Sequence, residues 1–251
     1  MQYLSQAGIE VLIKAVIQAI PTYSMRIFKI PKNILMELNR LMQQYWWGQK
    51  AEKKKRIHWY SWGKLRQVKV SGGLGLRDLE QFNLAMLAKQ ERRSIQNSPS
   101  LAAKVFSTKY FPNGNFLKAG LNRSPSLIWR SIMVARPLIE EGLFWHIGND
   151  CSTKIWHDKW LPCPTCFKVQ SPVKNLEPEA TVDALIDPVT SSWRMELINE
   201  TFLEKEAATI IQTPISLCNS SDRISWRCTT NGIFSVRSAY DHLQLKIRQR
   251  A

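Results

Sequence analysis

The sequence predicts an α+β fold that is mostly α, with a helical N-terminal half followed by a smaller part made of β-hairpins and short helices. Apolar residues recur at helical spacing through the first 142 residues. Beyond Gly142 the spacing changes to that of short strands around glycine-containing turns. With 251 residues and 44% hydrophobic content, the chain can bury a substantial core.

Two helices are predicted at the N-terminus from apolar spacing with clear ends. Residues 9–20 carry Ile, Leu or Val at positions i, i+3, i+4 and i+7, with Ser5 as a candidate N-cap and Pro21 as the stop. The second helix begins near Pro31 and ends at Gly48, which suits a left-handed C-terminal residue.

A third long helix is predicted after a tight glycine-containing turn. Asp78 and Gln81 form a capping-box signal, and the helix continues to about Ile95. The preceding Gly72-Gly73-Leu74-Gly75 could approach a phosphate with its amides, but it lacks the Lys-Ser/Thr of a P-loop. A turn that needs positive φ is the favoured interpretation.

The remaining elements are shorter. Ser-Pro pairs at 98–99 and 124–125 predict two more helix starts, and the second helix should run to Gly142 with a kink at Pro137. Two hairpins are predicted further on. The first joins 143–147 to 153–156 and the second joins 223–228 to 233–234.

These elements divide the chain into five predicted segments. They are a basic helical region at 1–95, a helical connection at 96–142, a β-hairpin segment at 143–161, a linker with little fixed structure at 162–192, and a C-terminal segment at 193–251.

Positive charge is concentrated in the front of the chain. The first 120 residues contain 20 Lys and Arg against 6 Asp and Glu, whereas residues 121–251 contain 15 against 14. Such self-repulsion does not help a globular fold, so it points to a polyanionic partner, for which nucleic acid is the first candidate. The alternative is a solvated charged surface, above all in the loop at 49–56.

Eleven basic side chains are candidates for phosphate contact. They are Lys14, Lys53, Lys54, Lys55, Arg56, Lys64, Lys69, Arg77, Lys89, Arg92 and Arg93. Four Trp residues surround the basic loop and could stack on unpaired bases, although their apolar neighbours favour burial. These are Trp46, Trp47, Trp59 and Trp62.

No catalytic or metal site is evident in the sequence. Cys163 and Cys166 with His157 superficially suggest zinc, but a structural site needs four ligands. Asp150 and Asp158 are interpreted as turn residues. No Ser/His/Asp or Cys/His arrangement is present. We expect no cofactor, and five scattered Cys favour a reducing compartment, the nucleus or cytoplasm, with an organelle left open.

The apolar run at 9–20 is not a membrane span. Glu10, Lys14 and Gln18 interrupt it, and no segment of the sequence reaches 18 uninterrupted apolar residues. We therefore expect no membrane partner.

Several motifs in a fixed order resemble the region after the palm in reverse transcriptases of plant non-LTR (LINE-type) retrotransposons. The resemblance covers nearly the whole chain. It runs through Leu4–Gly8, Leu12–Val16, Ala19–Tyr23, Tyr45–Gly48, Ile57–Trp59, Gly72–Leu79, Phe82–Gln90, Lys109–Phe111, Trp129–Ile132, Ile155–Leu161 and Gly232–Tyr240.

The resemblance implies that residues 1–95 are thumb-like and grip a template–primer duplex, an RNA/DNA hybrid or DNA. It implies that 193–251 is the incomplete start of a C-terminal module that binds zinc further on. The family's paired aspartates hold two metal ions in the palm, and this chain has no Asp-Asp pair. The expected function is therefore a non-catalytic fragment of an RNA-directed DNA polymerase, without Mg²⁺ of its own.

Two alternatives remain open for the function. The chain could be an inactive retrotransposon relic, or a scaffold that packs against the missing polymerase palm or another protein through apolar surface.

Overall fold

The computed structural model describes residues 4–48, 59–67, 69–95, 100–112, 116, 119–121, 123–148, 153–162, 167–215 and 222–250. The chain forms two compact units. One comprises Met1–Glu140 with Ser235–Ala251, and the other comprises Glu141–Phe234. The fold is α+β and mostly α, as predicted. The five predicted segment boundaries stay predictions.

The first unit is helical. Its helices are α1 (Gln6–Leu12), which continues as a π-helical turn (Ile13–Ile17), α2 (Thr22–Met25), α3 (Lys32–Trp46), α4 (Trp62–Arg66), a 3-10 turn (Lys69–Ser71), α5 (Leu79–Ile95), α6 (Leu101–Tyr110), α7 (Leu127–Met133), the start of α8 (Arg136–Gly142) and α11 (Val236–Arg250).

Local capping signals in the sequence are confirmed. The Ser5 hydroxyl accepts a hydrogen bond from the Gly8 N–H at 3.2 Å. Asp78 Oδ1 accepts from the Glu80 and Gln81 N–H groups at 2.9 and 3.2 Å, so it caps α5. Gly48 has φ +61° at the end of α3. Each of these bonds or angles depends on neighbours a few residues away, which is why sequence patterns find them.

The helix predicted to kink at Pro137 is two helices instead. α7 ends at Met133, a turn follows, and α8 begins at Arg136. Proline has no N–H to donate and is favoured in a first helical turn. Pro137 therefore lies in the first turn of α8 rather than bending a continuous helix.

α5 is the central helix of this unit, because α2, α3, α6, α7 and α11 all pack against it. Ten of its seventeen residues are buried, including Asn83, Glu91 and Arg92. One apolar cluster next to it is built on Ile13, Met25, Leu35, Met42 and Leu79. A second apolar cluster is built around Trp129, whose ring stacks on that of Tyr110 with the ring centres 4.3 Å apart.

Three of the four Trp residues near the basic loop belong to the first cluster. Trp46 is buried in it, and Trp47 and Trp62 pack against it. Trp59 is exposed. Burial, the favoured interpretation, is thus confirmed for Trp46, whereas Trp47 and Trp62 are partly buried.

The second unit contains two small antiparallel sheets. β1 (Leu143–His146) pairs with β4 (Arg223–Trp226), with Leu143 opposite Trp226. β2 (Ile186–Asp187) pairs with β3 (Ser192–Trp193). A 3-10 turn (Val182–Leu185), α9 (Met195–Thr201) and α10 (Glu204–Gln212) complete the unit.

The pairing predicted for β1 was wrong. Its strand partner is β4, about 80 residues away in sequence, and Lys154 instead forms an isolated bridge with Thr181. The Trp145 N–H donates a hydrogen bond to the Lys159 carbonyl at 2.6 Å. The segment around Lys159 therefore contacts β1, but it does not form a strand. In the second predicted hairpin, Trp226 donates to the Gly232 carbonyl, but 233–234 is not a strand.

The described part of the predicted linker, 162–192, is also structured. Val169, Val182 and Leu185 are buried in one core with Trp160 and Trp193. The carboxylate of Glu206 accepts hydrogen bonds from the backbone N–H groups of Gln170 and Ser171 at 2.8 and 3.1 Å. Pro and Ser content marked this segment as irregular, but irregular backbone packs well once its polar groups are satisfied.

Candidate nucleic-acid interface

A groove of about 590 Å³ opens in the first unit between α5, α11 and the end of α2. Five basic side chains line it, and among the described residues that do so only Asp241 carries a carboxylate. The basic residues are Arg26, Arg77, Lys89, Arg93 and Arg237. All five side chains are exposed, so the groove presents concentrated positive charge to solvent.

Gln18 fixes the position of Arg77. Its Nε2 donates to the Arg77 carbonyl and its Oε1 accepts from the Arg77 N–H, both at 3.3 Å. The Gln18 side chain is only 2% exposed. Because the contacts are to backbone, they hold the chain and leave the Arg77 guanidinium at the groove.

Asn83 fixes the segment that carries Arg26. The Asn83 Nδ2 donates to the carbonyls of Met25 and Phe28 at 2.8 and 2.9 Å, and its Oδ1 accepts from the Ile30 N–H at 2.9 Å. This fully buried amide satisfies three backbone groups, one at the end of α2 and two in the segment that follows it. The exposed Arg26 is thereby placed beside α5.

Tyr240 joins α11 to the start of α5. Its hydroxyl oxygen accepts a hydrogen bond from the Asp78 N–H at 2.8 Å, in the position where a capping box would use the Gln81 side chain. Gln81 Oε1 accepts instead from Gln244 of α11. Burial raises the pKa of the Tyr240 hydroxyl. The hydrogen bond from the Asp78 N–H holds the Tyr240 ring in place at the groove.

Two aromatic side chains line the groove beside the cations. Phe82 and Tyr240 are half-buried and meet edge to face, with ring centres 6.3 Å apart and planes at 78°. The Arg77 guanidinium carbon lies 4.8 Å from the centre of the Phe82 ring. This cation–π contact helps to hold the guanidinium beside Phe82.

Three of the predicted phosphate contacts, Arg77, Lys89 and Arg93, come together in this groove. Lys14 and Lys69 do not line it. Both lie beside the same carboxylate oxygen of Glu10, at 2.7 and 3.2 Å, and the Lys14 contact is the main cause of a lowered pKa at Glu10. Much of their charge is therefore compensated locally.

The other predicted contacts fall elsewhere. Lys64 is exposed on α4. Lys53, Lys54, Lys55 and Arg56 lie outside the described residues. Arg92 is only 5% exposed, and burial lowers the pKa of its guanidinium. Because α5 is packed on several sides, Arg92 faces the interior and does not present a phosphate contact at the surface.

Sequence reasoning missed Arg26 and Arg237. Arg26 follows a four-residue helix and had no motif around it. Arg237 is 144 positions after Arg93, and only the packing of α11 on α5 brings it to the groove. The single signal was the match around Gly232–Tyr240, which marked this segment without indicating where it packs.

Neither a metal cluster nor a membrane-crossing helix is found in the described part of the chain. Within it, no three His, Cys, Asp or Glu side chains are grouped so as to hold a metal ion. Cys163 and Cys166 lie outside that part. None of the helices described combines the length and the apolar character needed to span a bilayer.

Comparison with known proteins identifies two plant relatives from Arabidopsis thaliana. No protein-family profile and no solved structure matches the chain. A protein named "Putative ribonuclease H protein At1g65750" is 30% identical over 264 residues, which cover 96% of this chain and 39% of that protein. The chain thus spans well under half the length of that relative.

The second relative is the uncharacterized mitochondrial protein AtMg00310. It is 38% identical over 144 residues, covering 57% of this chain and 93% of that protein. A match of this identity over nearly all of a relative reflects common descent. The chain therefore belongs to the family of the mitochondrial protein AtMg00310.

Proposed function

We propose that this chain binds nucleic acid, with little sequence preference, through the basic groove between α5 and α11. One observation carries the proposal: five exposed cations from separate parts of the chain converge on one groove, and Asp241 is the one carboxylate among the described residues that line it. Surface charges that serve only solubility would be spread over the protein, whereas a phosphate-binding site requires several cations close together.

The chemistry of the groove favours phosphate contacts over base-edge contacts. Arg side chains donate in a planar fork that matches a phosphate, and Lys adds a point charge. Base-edge contacts, which Arg makes with guanine and Gln with adenine, are open to Gln90 and to single arginines of the groove, but five converging cations suit a strand of phosphates better. Phosphate contacts position a strand and carry no sequence information.

The wider assignment is to a plant retroelement. The motif resemblance points to the region after the palm of a LINE-type reverse transcriptase, and a relative bearing the name ribonuclease H supports a nucleic-acid context. RNA-directed DNA polymerase activity would belong to a longer protein. Mg²⁺ would be held there by the palm's paired aspartates, and the residues of this chain, which has no Asp-Asp pair, do not supply that site.

In that assignment the first helices would form the thumb, and the missing palm would be a protein partner. The site of action would be inside the cell, in the nucleus, the cytoplasm or an organelle.

Salt dependence of binding tests the groove. If five cations contact phosphate, the slope of log affinity against log salt is about −4.5 for a duplex and about −3.5 for a single strand. Replacing Arg93 and Arg237 by Gln should lower its magnitude by about 1.4 to 1.8. Lys205→Gln, at an exposed site on α10 that does not line the groove, is the control for loss of a surface charge. The proposal is contradicted if the affinity does not change with salt concentration, or if the double variant has the same salt slope as the wild type.

Primer extension tests the non-catalytic assignment. The isolated chain should incorporate no nucleotide with Mg²⁺ present, on either RNA or DNA template. Incorporation would reveal a catalytic centre within this chain.

A protein-binding role has one observation in its favour. Val11 in α1, Ile20 in the turn before α2 and Tyr23 in α2 expose large apolar side chains. Contiguous exposed apolar surface marks protein interfaces. Size-exclusion chromatography would show self-association if this surface dominates, and a monomer if it does not.

A further inference from the structure

We propose that the groove between α5 and α11 holds a single-stranded segment of nucleic acid, with one or two bases stacked on its aromatic side and phosphates on its cations. This inference rests on the proposed function and specifies its substrate. It goes further because cations alone do not distinguish a single strand from a duplex.

The size of the groove favours unpaired nucleotides. Its volume of about 590 Å³ is that of a small-ligand site. A duplex keeps its bases stacked inside a rigid cylinder, so it could touch the basic rim without filling the groove. An unpaired nucleotide can turn its base into it.

The walls of the groove supply stacking surfaces. The ring of Tyr240 lines the groove directly. The Arg77 guanidinium carbon lies 4.8 Å from the centre of the Phe82 ring, and the side chain is exposed, so a base can reach the guanidinium. Bases stack on aromatic rings and on guanidinium planes in single-strand sites. A basic groove interrupted by such surfaces is the arrangement that single-strand binding requires.

These stacking groups are held in place before any ligand arrives. Gln18 holds both backbone polar groups of Arg77, and Asp78 donates its N–H to the Tyr240 hydroxyl. Groups that are already ordered lose less entropy on binding. The cations Arg26, Lys89, Arg93 and Arg237 line the same groove. Phosphates flanking a stacked base would meet them.

Arg77→Lys is the decisive variant. It keeps the positive charge and removes the guanidinium plane, while the Gln18 contacts survive because they are made to backbone. Tyr240→Leu removes the ring, and Tyr240→Phe keeps the ring without the hydroxyl. Arg40→Lys, at an exposed site on α3, is the matched control for the first substitution.

The experiment measures fluorescence anisotropy of the full chain with three labelled probes of about 12 nucleotides, a length within known single-strand site sizes. The probes are a DNA single strand, the same strand with its central bases removed to leave abasic sites, and a duplex of equal length. Thermal unfolding of each variant verifies that it is folded. Tyr240→Phe indicates whether an effect of Tyr240→Leu comes from the ring.

We expect Arg77→Lys and Tyr240→Leu to weaken binding of the intact single strand by about 5-fold to 150-fold, the range for losing one stacked base. Binding of the abasic strand and of the duplex should change by less than about 2-fold. Arg40→Lys should have no effect on any probe.

Equal effects on all three probes, or no effect on any, would overturn the single-strand inference. In that case the charge-removing variants Arg93→Gln and Arg237→Gln test whether the groove binds nucleic acid at all. If they still weaken binding, the proposed function stands without the inference. If wild-type protein binds none of the probes, both are wrong.

Discussion

The side-chain amide of Gln18 forms hydrogen bonds with both the backbone N–H and the backbone carbonyl of Arg77, which lies 59 positions later in the sequence. Gln18 is buried, so these two backbone groups depend on it for their hydrogen bonds. The same contacts set the start of α5 against the first helices. Stability and the shape of the groove are thereby coupled at one residue.

Gln18→Leu should therefore destabilise the chain and weaken nucleic-acid binding together. A loss of about 2 kcal/mol in the free energy of unfolding is expected, because two backbone groups lose their partners. Chemical denaturation and strand binding measure the two effects. Gln249→Leu, exposed near the end of α11, is the control and should change neither. Unchanged stability in Gln18→Leu would show that the backbone groups find other partners.

Asp241→Asn should strengthen binding of nucleic acid. Asp241 lines the groove, and its carboxylate lies 3.9 Å from the Arg237 guanidinium. Removing it takes away repulsion of phosphate and releases Arg237. Exposed pairs of this kind contribute up to about 1 kcal/mol, so the gain should be about 2- to 5-fold at low salt and should shrink as salt rises.

Glu204→Gln, which removes one acidic charge from an exposed site on α10, is the matched control for this effect. Equal gains in the two variants would mean that net charge alone, and not the groove, controls affinity.

Sequence reasoning succeeded where the determinants are local. The Ser5 cap and the Gly48 conformation each depend on a few neighbouring residues. Arg77, Lys89 and Arg93 were found because the basic half of the chain is evident from composition. Their surface positions follow from helical spacing along and before α5.

The rest depends on long-range packing that no local pattern encodes. Arg237 reaches the groove only through the docking of α11, and β1 takes a partner about 80 residues away. Arg92 is buried because α5 is packed on several sides. For the same reason the apolar residues of α5 are not confined to one face of the helix. Gln18 was recognised only as a polar residue that interrupts an apolar run, and its tertiary hydrogen bonds became evident from the fold.

Gly142→Ala should disrupt the second unit. A Cβ at this position would lie 2.1 Å from Cζ3 of Trp226, which is fully buried. The Gly142 carbonyl also accepts from the Arg227 N–H at 2.9 Å, so the backbone cannot move away without losing that bond. Overpacking of this kind costs about 1 to 3 kcal/mol or more. Urea denaturation followed by Trp fluorescence measures it.

Gly63→Ala is the matched control. The nearest atom to its added Cβ is the Ser61 Oγ at 4.0 Å, and Gly63 lies inside helix α4. Alanine is favoured over glycine in a helix by about 0.5 to 1 kcal/mol. A stabilised Gly63→Ala beside a destabilised Gly142→Ala is expected, and equal effects would show that the Trp226 contact is relieved at little cost.

Glu91→Gln should stabilise the first unit, increasingly as pH rises. Glu91 is fully buried in α5, and burial raises the pKa of its carboxyl to about 8. Arg136 opposes this shift, with its Nε 3.8 Å from Glu91 Oε1, while Glu140 adds to it. Neither oxygen of Glu91 accepts a hydrogen bond from a described residue.

The direction of the pH dependence follows from proton binding. Between pH 4.5, the ordinary pKa of this carboxyl, and about 8, the folded chain keeps a proton that the unfolded chain has lost. The contribution of Glu91 to stability therefore falls as pH rises through this window, and the full penalty is present above it. Glutamine has the same shape and no charge, so the variant should gain at most about 4 kcal/mol at pH 8 and little near pH 4.5.

Hydrogen exchange of the α5 amides at several pH values measures this difference in the unit concerned. Glu200→Gln, exposed on α9, should show no such dependence. Arg136 keeps its hydrogen bonds to the carbonyls of Ala119 and Phe116 in the variant, so loss of the ion pair should not offset the gain. A difference between wild type and Glu91→Gln that is the same at pH 5 and pH 8 would show that Glu91 remains ionised inside the fold.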